Sequence, residues 1–193
     1  VMSCTLAAGL SLRWFRDNFC KEEMVAADGI GKDPYFLMDQ EAARVPIGAN
    51  HLIYMPYLMG ERSPKLDPNA RGVFFGLSAI HTKYDMLRAV LEGVIYSQRE
   101  CLDILRGMGV VSSEMLACGG GGTSPLWRQM MADVYNLPVR TSSSKEGPAL
   151  GVAILAGVAA GVYESVPAAC RKLVHASEPQ APIAENHEAY EPF

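Results

Sequence analysis

Four consecutive glycines, followed two residues later by a serine, are the residues of this chain best suited to binding chemistry. They are Gly119, Gly120, Gly121 and Gly122, with Ser124 beyond them. The run lies between a predicted strand at residues 115–118 and a predicted helix that begins at residue 125. Backbone without side chains lets a flat or charged ligand approach closely, and a helix start carries unpaired N–H donors. The pattern indicates either a ligand site or a tight turn in which glycine only avoids clashes.

Three kinds of ligand are typical of glycine-rich turns, and the neighbouring residues separate them. A phosphate-binding P-loop requires a lysine directly after its last glycine, and Thr123 stands there instead. A dinucleotide loop requires a third spaced glycine, which falls here on Ser124 or Pro125, and an acidic residue after the next strand, which ends in Thr141 and Ser142. The remaining hypothesis is a shelf for the face of an adenine ring. Ser124 would cap the helix and donate its hydroxyl proton to the ring edge.

Composition and charge indicate a soluble globular domain. The chain has 193 residues, of which 49% are hydrophobic and 20% charged, and its formal net charge is −4. One domain with a full core is expected at this length, and the acidic balance argues against a nucleic-acid binder. The five cysteines and four histidines lack disulfide or metal-ligand spacing, so we expect no metal site and a reducing, cytoplasmic setting. The longest apolar run, residues 148–162, is too short and too rich in glycine to span a membrane.

Helical and strand patterns alternate along the chain, which is typical of the α/β class. Apolar spacing predicts helices at residues 5–19, 39–44, 83–108 and 125–135, and an alanine- and glycine-rich helix that opens at Glu146. Short apolar runs predict strands at residues 51–56, 73–77, 115–118 and 138–141. The polar, proline-bearing end of the chain is expected to be extended. The chain begins with an amphipathic helix and no leader segment, so we expect more protein before Val1.

Two groups of charged residues require an interpretation of their own. A loop carries Glu61, Arg62, Asp67 and Arg71, whose charges would either face a cleft or form an internal salt-bridge cluster that holds the loop. Asp133 lies on the helix after the glycines and is interpreted as a surface or capping carboxylate. None of these residues is assigned to catalysis.

Several separated motifs resemble the FGGY carbohydrate kinases, in the order in which that family carries them. Residues 117–133, ACGGGGTSPLWRQMMAD, resemble the family's adenine loop, and residues 146–157, EGPALGVAILAG, resemble the segment that follows it. Residues 72–77, 85–86 and 89–92 fit the family's second signature, and the loop PYLMGERSP at residues 56–64 resembles the xylulokinase and gluconokinase branch. The match extends from the first helix to about Cys170, and the adenine-loop residues are most like those of xylulokinases.

The resemblance implies a ribonuclease-H-like α/β domain of the actin, heat-shock-70 and sugar-kinase type, with a mixed sheet flanked by helices. Residues 1–175 would form the C-terminal nucleotide-binding domain, incomplete at its N-terminal edge, and residues 176–193 an extended tail. ATP, with Mg²⁺, would bind in a cleft between this domain and a preceding one. The adenine would lie against Gly120 and Gly121, with Gly119 and Gly122 shaping the loop and Ser124 at the ring edge.

The same resemblance implies ATP-dependent phosphorylation of a sugar, D-xylulose to D-xylulose 5-phosphate, by the intact parent protein. No residue matches the family's phosphate hairpins, sugar-binding groups or catalytic aspartate, so no catalytic residue is assigned and the chain alone is expected to be inactive. The implied partners are ATP or ADP and a sugar held by the preceding domain. Neither nucleic acid nor membrane is expected, and a homodimer is left open. The alternatives are a kinase for gluconate, ribulose or a polyol, or a non-catalytic nucleotide-binding module.

Overall fold

A computed structural model describes residues 2–142 and 147–193 of the chain. Helices dominate it, and the α/β class expected from the alternating patterns is confirmed. The strands pair in both directions: β1 (Ile53–Met55) lies antiparallel to β2 (Val73–Phe75), and β3 (Met115–Ala117) lies parallel to β4 (Val139–Thr141). Within the described residues these pairs are two separate two-stranded sheets.

The first three helices are α1 (Ala8–Phe19), α2 (Lys21–Gly29) and α3 (Pro34–Ala42). The prediction missed α2, whose buried residues are only Glu23 and Ala27, so it carries almost no apolar stripe. It also placed the start of α3 too late, at residue 39. The Asp33 side chain accepts a hydrogen bond from the N–H of Tyr35, and Pro34 takes the first helical position, so a cap starts α3 before the apolar pattern does.

Helix α4 (Lys83–Gly107) is the central element of the core. It begins with a capping box, in which the Thr82 hydroxyl accepts from the N–H of Asp85 and the Asp85 carboxylate accepts from the N–H of Thr82. It packs against β1, α1 and α3. The large side chains with under 2% exposure cluster around this helix: Phe15, Met38, Leu52, Leu87, Val90, Leu91, Val94 and Ile95.

Two helices cross over between the parallel strands β3 and β4. They are α5 (Gly119–Thr123) and α6 (Pro125–Tyr135), the second with the bounds expected from the sequence. Parallel strands cannot be joined by a tight hairpin, so this crossover is what allows β3 and β4 to pair. Helix α6 packs against α4 through a buried face that includes Trp127, Met130 and Val134.

The last third of the chain holds α7 (Gly147–Ala159), α8 (Val166–Leu173) and α9 (Ala184–Tyr190). The predicted opening of α7 at Glu146 lies outside the described residues. The expectation of a wholly extended tail over residues 176–193 is wrong, because α9 forms there and packs on α6. Ahead of α9 the backbone is extended, and Gln180 exchanges two backbone hydrogen bonds with Val139 of β4.

Asp133 explains why the end of the chain folds back on α6. It is 2% exposed, so the interpretation as a surface carboxylate is wrong. Its Oδ1 accepts from the Gln129 side chain at 2.7 Å and from the N–H of Ile183 at 2.8 Å, and its Oδ2 accepts from the Asn186 side chain at 2.8 Å. Ile183 directly precedes α9, so this carboxylate does act near a helix start, though of a different helix from its own. A second buried anchor is Tyr190, whose hydroxyl accepts from Arg88 of α4 at 2.6 Å.

Trp127 holds α6 beneath the glycine segment. Its side chain is 3% exposed, and its indole N–H donates to the carbonyl of Leu91 on α4 at 3.1 Å. The benzene ring of the indole lies so close to Gly121 that an added Cβ would stand 2.6 Å from it. An added Cβ at Gly122 would stand 2.7 Å from the carbonyl oxygen of Ala117. Internal packing therefore requires glycine at both positions.

The packing of Trp127 sets a stability difference between neighbouring glycines. We expect Gly121→Ala to lower the free energy of unfolding by about 1–3 kcal/mol, because the new methyl group would push the indole out of its buried position. We expect Gly120→Ala to leave it unchanged or raise it slightly, since nothing lies within 4 Å of that position and alanine favours a helix. Urea unfolding of both variants measures the difference, and equal stabilities would contradict this packing.

The buried Asp133 carboxylate sets a second expectation. Asp133→Ala should lower the free energy of unfolding by about 2 kcal/mol or more, because three donors lose a buried acceptor. It should also expose the α9 segment to limited proteolysis. Asp103→Ala is the matched control, since Asp103 is a half-exposed helical carboxylate whose partners among the described residues are Arg99 and Arg106. Unfolding and cleavage that are alike in the two variants would show that Asp133 does not hold the chain end.

Candidate functional site

The glycine segment is helical in the structure, where the sequence predicted a loop or tight turn between strand and helix. Gly119 has a φ of +74° and turns the chain out of β3 into α5. The Thr123 hydroxyl donates to the carbonyl of Gly120 at 2.7 Å, and Arg128 donates to the carbonyl of Gly122 at 2.7 Å. These side-chain bonds satisfy carbonyls that α5, with only five residues, cannot pair internally.

Glycine occurs at the four positions of this segment for different structural reasons. Gly121 and Gly122 are required by the ring of Trp127 and the backbone of Ala117, as described above. Glycine is required at Gly119 by the positive φ, which residues other than glycine rarely adopt. Gly120 has an ordinary helical backbone and open space beside it. Gly120 is therefore the one position in the run where nothing inside the described part of the chain accounts for the missing side chain.

Two cavities border the glycine segment, and Gly120 and Gly121 line both of them. The β3–α4 cavity, of about 510 Å³, is bounded by α4, α6 and β3 and has no Asp, Glu, Lys or Arg among its described lining residues. The α1–α3 cavity, of about 620 Å³, is bounded by α1, α3 and the glycine segment. It combines the bare backbone of Gly119, Gly120 and Gly121 with several polar groups, namely Arg13, Asp33, Asp39 and Ser124. A ligand site typically has an apolar wall with a few convergent polar groups, so the α1–α3 cavity is the candidate site.

Ser124 caps α6 as the sequence predicted, and it also contacts a residue that the sequence did not suggest. Its Oγ accepts from the N–H of Trp127 at 3.0 Å. The same Oγ donates to Oδ2 of Asp39 at 2.7 Å, across 85 positions of the chain. Ser124 has one hydroxyl proton, so in this structure the proton expected at a ligand edge is directed to Asp39 instead.

Asp39 is the functional candidate that sequence reasoning missed. It lies on α3, between the buried residues Met38 and Ala42, and its side chain lines the α1–α3 cavity. Burial raises the pKa of Asp39 above its usual range, the hydrogen bond from Ser124 opposes that effect, and the nearby charge of Asp33 adds to it. No sequence pattern pairs a helical aspartate with a serine so far along the chain.

The remaining wall of the α1–α3 cavity is basic and aromatic. Arg13 of α1 is exposed and makes no hydrogen bond or ion pair with any residue that the structure describes. Phe36 is 45% exposed, and Lys32 places its Nζ 5.6 Å from the centre of that ring. Tyr35 lies beneath the Arg16 guanidinium, at 5.0 Å. The cavity thus offers an unpaired cation and an exposed aromatic ring beside the bare backbone of Gly120.

The charged loop that the sequence singled out lies away from this cavity. Glu61 is 3% exposed and accepts from the N–H of Leu6 at 3.1 Å and of Arg62 at 2.7 Å. Asp67 accepts from a neighbouring backbone N–H, and Arg71 donates to two backbone carbonyls of the same loop. No ion pair joins these four residues in the described part of the chain, so the salt-bridge alternative is wrong, and backbone groups pair the side chains of Glu61, Asp67 and Arg71 instead.

Within residues 2–142 and 147–193, no group of three or more His, Cys, Asp or Glu side chains could hold a metal ion. Over that part of the chain, no helix combines the length and apolar character needed to cross a membrane.

Comparison with known proteins places the chain in a family. Residues 1–160 match the C-terminal domain of the FGGY family of carbohydrate kinases. The xylulose kinase of Staphylococcus epidermidis is 36% identical over 192 residues, which are 100% of this chain and 37% of that protein. The gluconokinase of Bacillus subtilis is 38% identical over 189 residues, which are 94% of this chain and 36% of that protein.

Solved structures agree with the sequence comparison. The crystal structure of ligand-bound xylulose kinase from Lactobacillus acidophilus superposes with a TM-score of 0.81 at 28% identity, covering 97% of this chain and 36% of that one. The fold is that of the actin, heat-shock-70 and sugar-kinase group, as the resemblance implied. The chain spans little more than a third of the length of the relatives that it matches. It belongs to the FGGY family of carbohydrate kinases and corresponds to the C-terminal domain of that family.

Proposed function

We propose that the α1–α3 cavity binds the adenosine part of ATP and that this chain is the nucleotide-binding part of a sugar kinase. The observation that carries the proposal is Gly120, whose bare helical backbone faces open space beside a cavity of about 620 Å³. A cavity of this volume accommodates a nucleoside. The adenine would lie against Gly120, where a side chain would otherwise occupy the ring's place, and Ser124 would lie at the ring edge.

The charges around the cavity suit a nucleotide in one orientation. Arg13 of α1 is a cation without a described partner, while Asp39 lies on α3 and Ser124 at the start of α6. The triphosphate would extend past Arg13, and the base would lie between Gly120 and Phe36, on the side of Asp39. An anionic group next to Asp39 would meet a like charge, which disfavours the reverse orientation.

Mg²⁺ is usual in the family that the chain belongs to, but the described residues include no carboxylate cluster to hold it. The ion typically keeps several waters and binds through substrate phosphates and one or two carboxylates. In the proposed complex it would be held by the phosphates and by groups outside the described residues. Its contribution when bound would be to neutralise charge that develops on the transferred phosphoryl group.

The catalytic base and the sugar site are proposed to lie in protein that corresponds to the rest of the relatives' length. This chain covers 37% of the Staphylococcus xylulose kinase. Residues 1–175 would form the nucleotide-binding domain, and closure against a second domain would bring ATP to the sugar and exclude water. The protein would act in the cytoplasm, and dimerisation is left open.

D-Xylulose is the proposed sugar, and D-gluconate is the alternative. The xylulose kinase and the gluconokinase are about equally similar, at 36% and 38% identity. The residue types of the adenine loop favour xylulose. The proposed reaction is transfer of the γ-phosphoryl group of ATP to a sugar hydroxyl, which gives D-xylulose 5-phosphate and ADP.

A side chain at Gly120 tests the adenine position. We expect Gly120→Asp to weaken ADP binding by at least about tenfold, which is about 1.4 kcal/mol, because the side chain would fill the ring's space. Gly151→Asp is the matched control: it is also a helical glycine with nothing within 4 Å, and it lies on α7, away from the cavity. Calorimetric titration of both variants with ADP gives the affinities, and circular dichroism checks that each is folded. Undiminished ADP binding by Gly120→Asp would refute the site.

Activity measurements test the proposal that this chain binds the nucleotide while the rest of the protein supplies the sugar site and the catalytic base. The 193-residue chain is expected to bind ADP weakly and to transfer no phosphate from Mg-ATP to D-xylulose, because half of the proposed cleft is missing. The complete protein that contains this chain is expected to phosphorylate D-xylulose faster than D-gluconate in a coupled ADP-release assay. Transfer by the chain alone would contradict that proposal, and a preference for gluconate would replace the proposed sugar.

A further inference from the structure

We infer that Asp39 and Ser124 together read the 6-position of the purine, accepting a hydrogen bond from the amine of adenine and rejecting the carbonyl of hypoxanthine. The inference rests on the proposed adenosine site and adds a base-selecting pair to it. Asp39 would be a specificity-determining residue. The sequence did not predict it, because it lies far along the chain from the glycine segment.

The hydrogen bonds of the pair leave only acceptors at its open side. Ser124 receives the N–H of Trp127 and gives its proton to Oδ2 of Asp39. A hydroxyl oxygen has two lone pairs, so Oγ of Ser124 keeps one to offer. Oδ1 of Asp39 receives no hydrogen bond from any described residue, yet it is not a sealed, orphaned atom. A ligand edge at this point therefore meets lone pairs and no available proton.

Both side chains are held in place by elements that do not depend on the ligand. Ser124 is the N-cap of α6, which Trp127 anchors to α4 through the carbonyl of Leu91. Asp39 projects from α3, which is capped by Asp33 and fixed to the core by Met38, at 1% exposure. Since neither element can easily rotate, the two acceptors keep a fixed position, and turning the Ser124 hydroxyl proton toward a ligand would break its hydrogen bond to Asp39.

The chemistry of the two purines follows from this arrangement. The 6-amine of adenine has two N–H donors and can bond to Oδ1 of Asp39 and Oγ of Ser124. Inosine carries a carbonyl oxygen at the same position, which would face lone pairs in a partly desolvated cavity. A polar group that is desolvated without a partner loses its bonds to water and gains nothing in return. Selection arises from this repulsive contact as much as from the favourable one.

Asp39→Asn changes one acceptor into a donor and keeps the rest of the contact. The Asn carbonyl oxygen can still accept the Ser124 proton, so the cap of α6 and the α3–α6 contact are retained. The amide N–H₂ would then face the base and could donate to the carbonyl of inosine. We expect the unchanged chain to bind ADP at least about tenfold more tightly than IDP at pH 7.5, and Asp39→Asn to lower that ratio by about tenfold or more.

Calorimetric titration of the 193-residue chain with ADP and with IDP measures both affinities. Asp28→Asn is the matched control, because Asp28 is an exposed carboxylate on α2 and its change removes the same charge away from the cavity. The control should keep the ADP:IDP ratio. Asp39→Ala, which has neither acceptor nor donor, should lose ADP affinity without gaining IDP affinity. A role limited to holding α3 against α6 would change stability but would not change the ratio in Asp39→Asn.

The outcomes separate this inference from the proposed function. A lowered ratio in Asp39→Asn, with an unchanged ratio in Asp28→Asn, supports the inference. ADP binding that is sensitive to Gly120→Asp but shows the same ADP:IDP ratio in Asp39→Asn and the unchanged chain would overturn the inference and leave the adenosine site standing. No binding of either nucleotide to the unchanged chain would overturn both.

Discussion

The packing of the Trp127 indole between α4 and the glycine segment is the contact on which the candidate site depends. The indole is buried, its N–H donates to the carbonyl of Leu91, and its benzene ring leaves no room for a side chain at Gly121. Trp127 thereby fixes the position of α5 relative to the core. It also fixes the start of α6, because its own N–H is the group that Ser124 caps. The position of the open backbone at Gly120 follows from these constraints.

The rest of α6 is held by the end of the chain. Asp133 lies on the buried side of this helix and receives three hydrogen bonds, two of them from the segment around α9. Tyr190 of α9 reaches Arg88 of α4 in turn, and Arg88 pairs with Glu92 at 2.7 Å in the same buried region. The site and the chain end are therefore parts of one packed unit around α4 and α6.

The arrangement shows how a surface suited to the proposed nucleotide can form without the lysine of a P-loop. The backbone of Gly120 offers a flat face, Phe36 offers an aromatic one, and Arg13 supplies a cation at the open side of the cavity. Packing and backbone conformation require glycine at Gly119, Gly121 and Gly122, whereas Gly120 has open space beside it, which the proposed ligand would use. In the proposed function this chain would supply one wall of a cleft, and a rigid surface would position the nucleotide for reacting groups that come from elsewhere.

Local patterns in the sequence determined much of this protein. Apolar spacing predicted α4 and α6 closely, because both helices bury a wide apolar stripe, and the serine–proline pair before α6 predicted its cap. The motifs around the glycines determined the family. Tertiary structure alone decided which glycine faces open space, where the proton of Ser124 goes, and that Asp133 is buried under the chain end. The physical reason is that helix periodicity and caps depend on neighbours within a few positions, whereas these features depend on residues that are brought together only when distant helices pack.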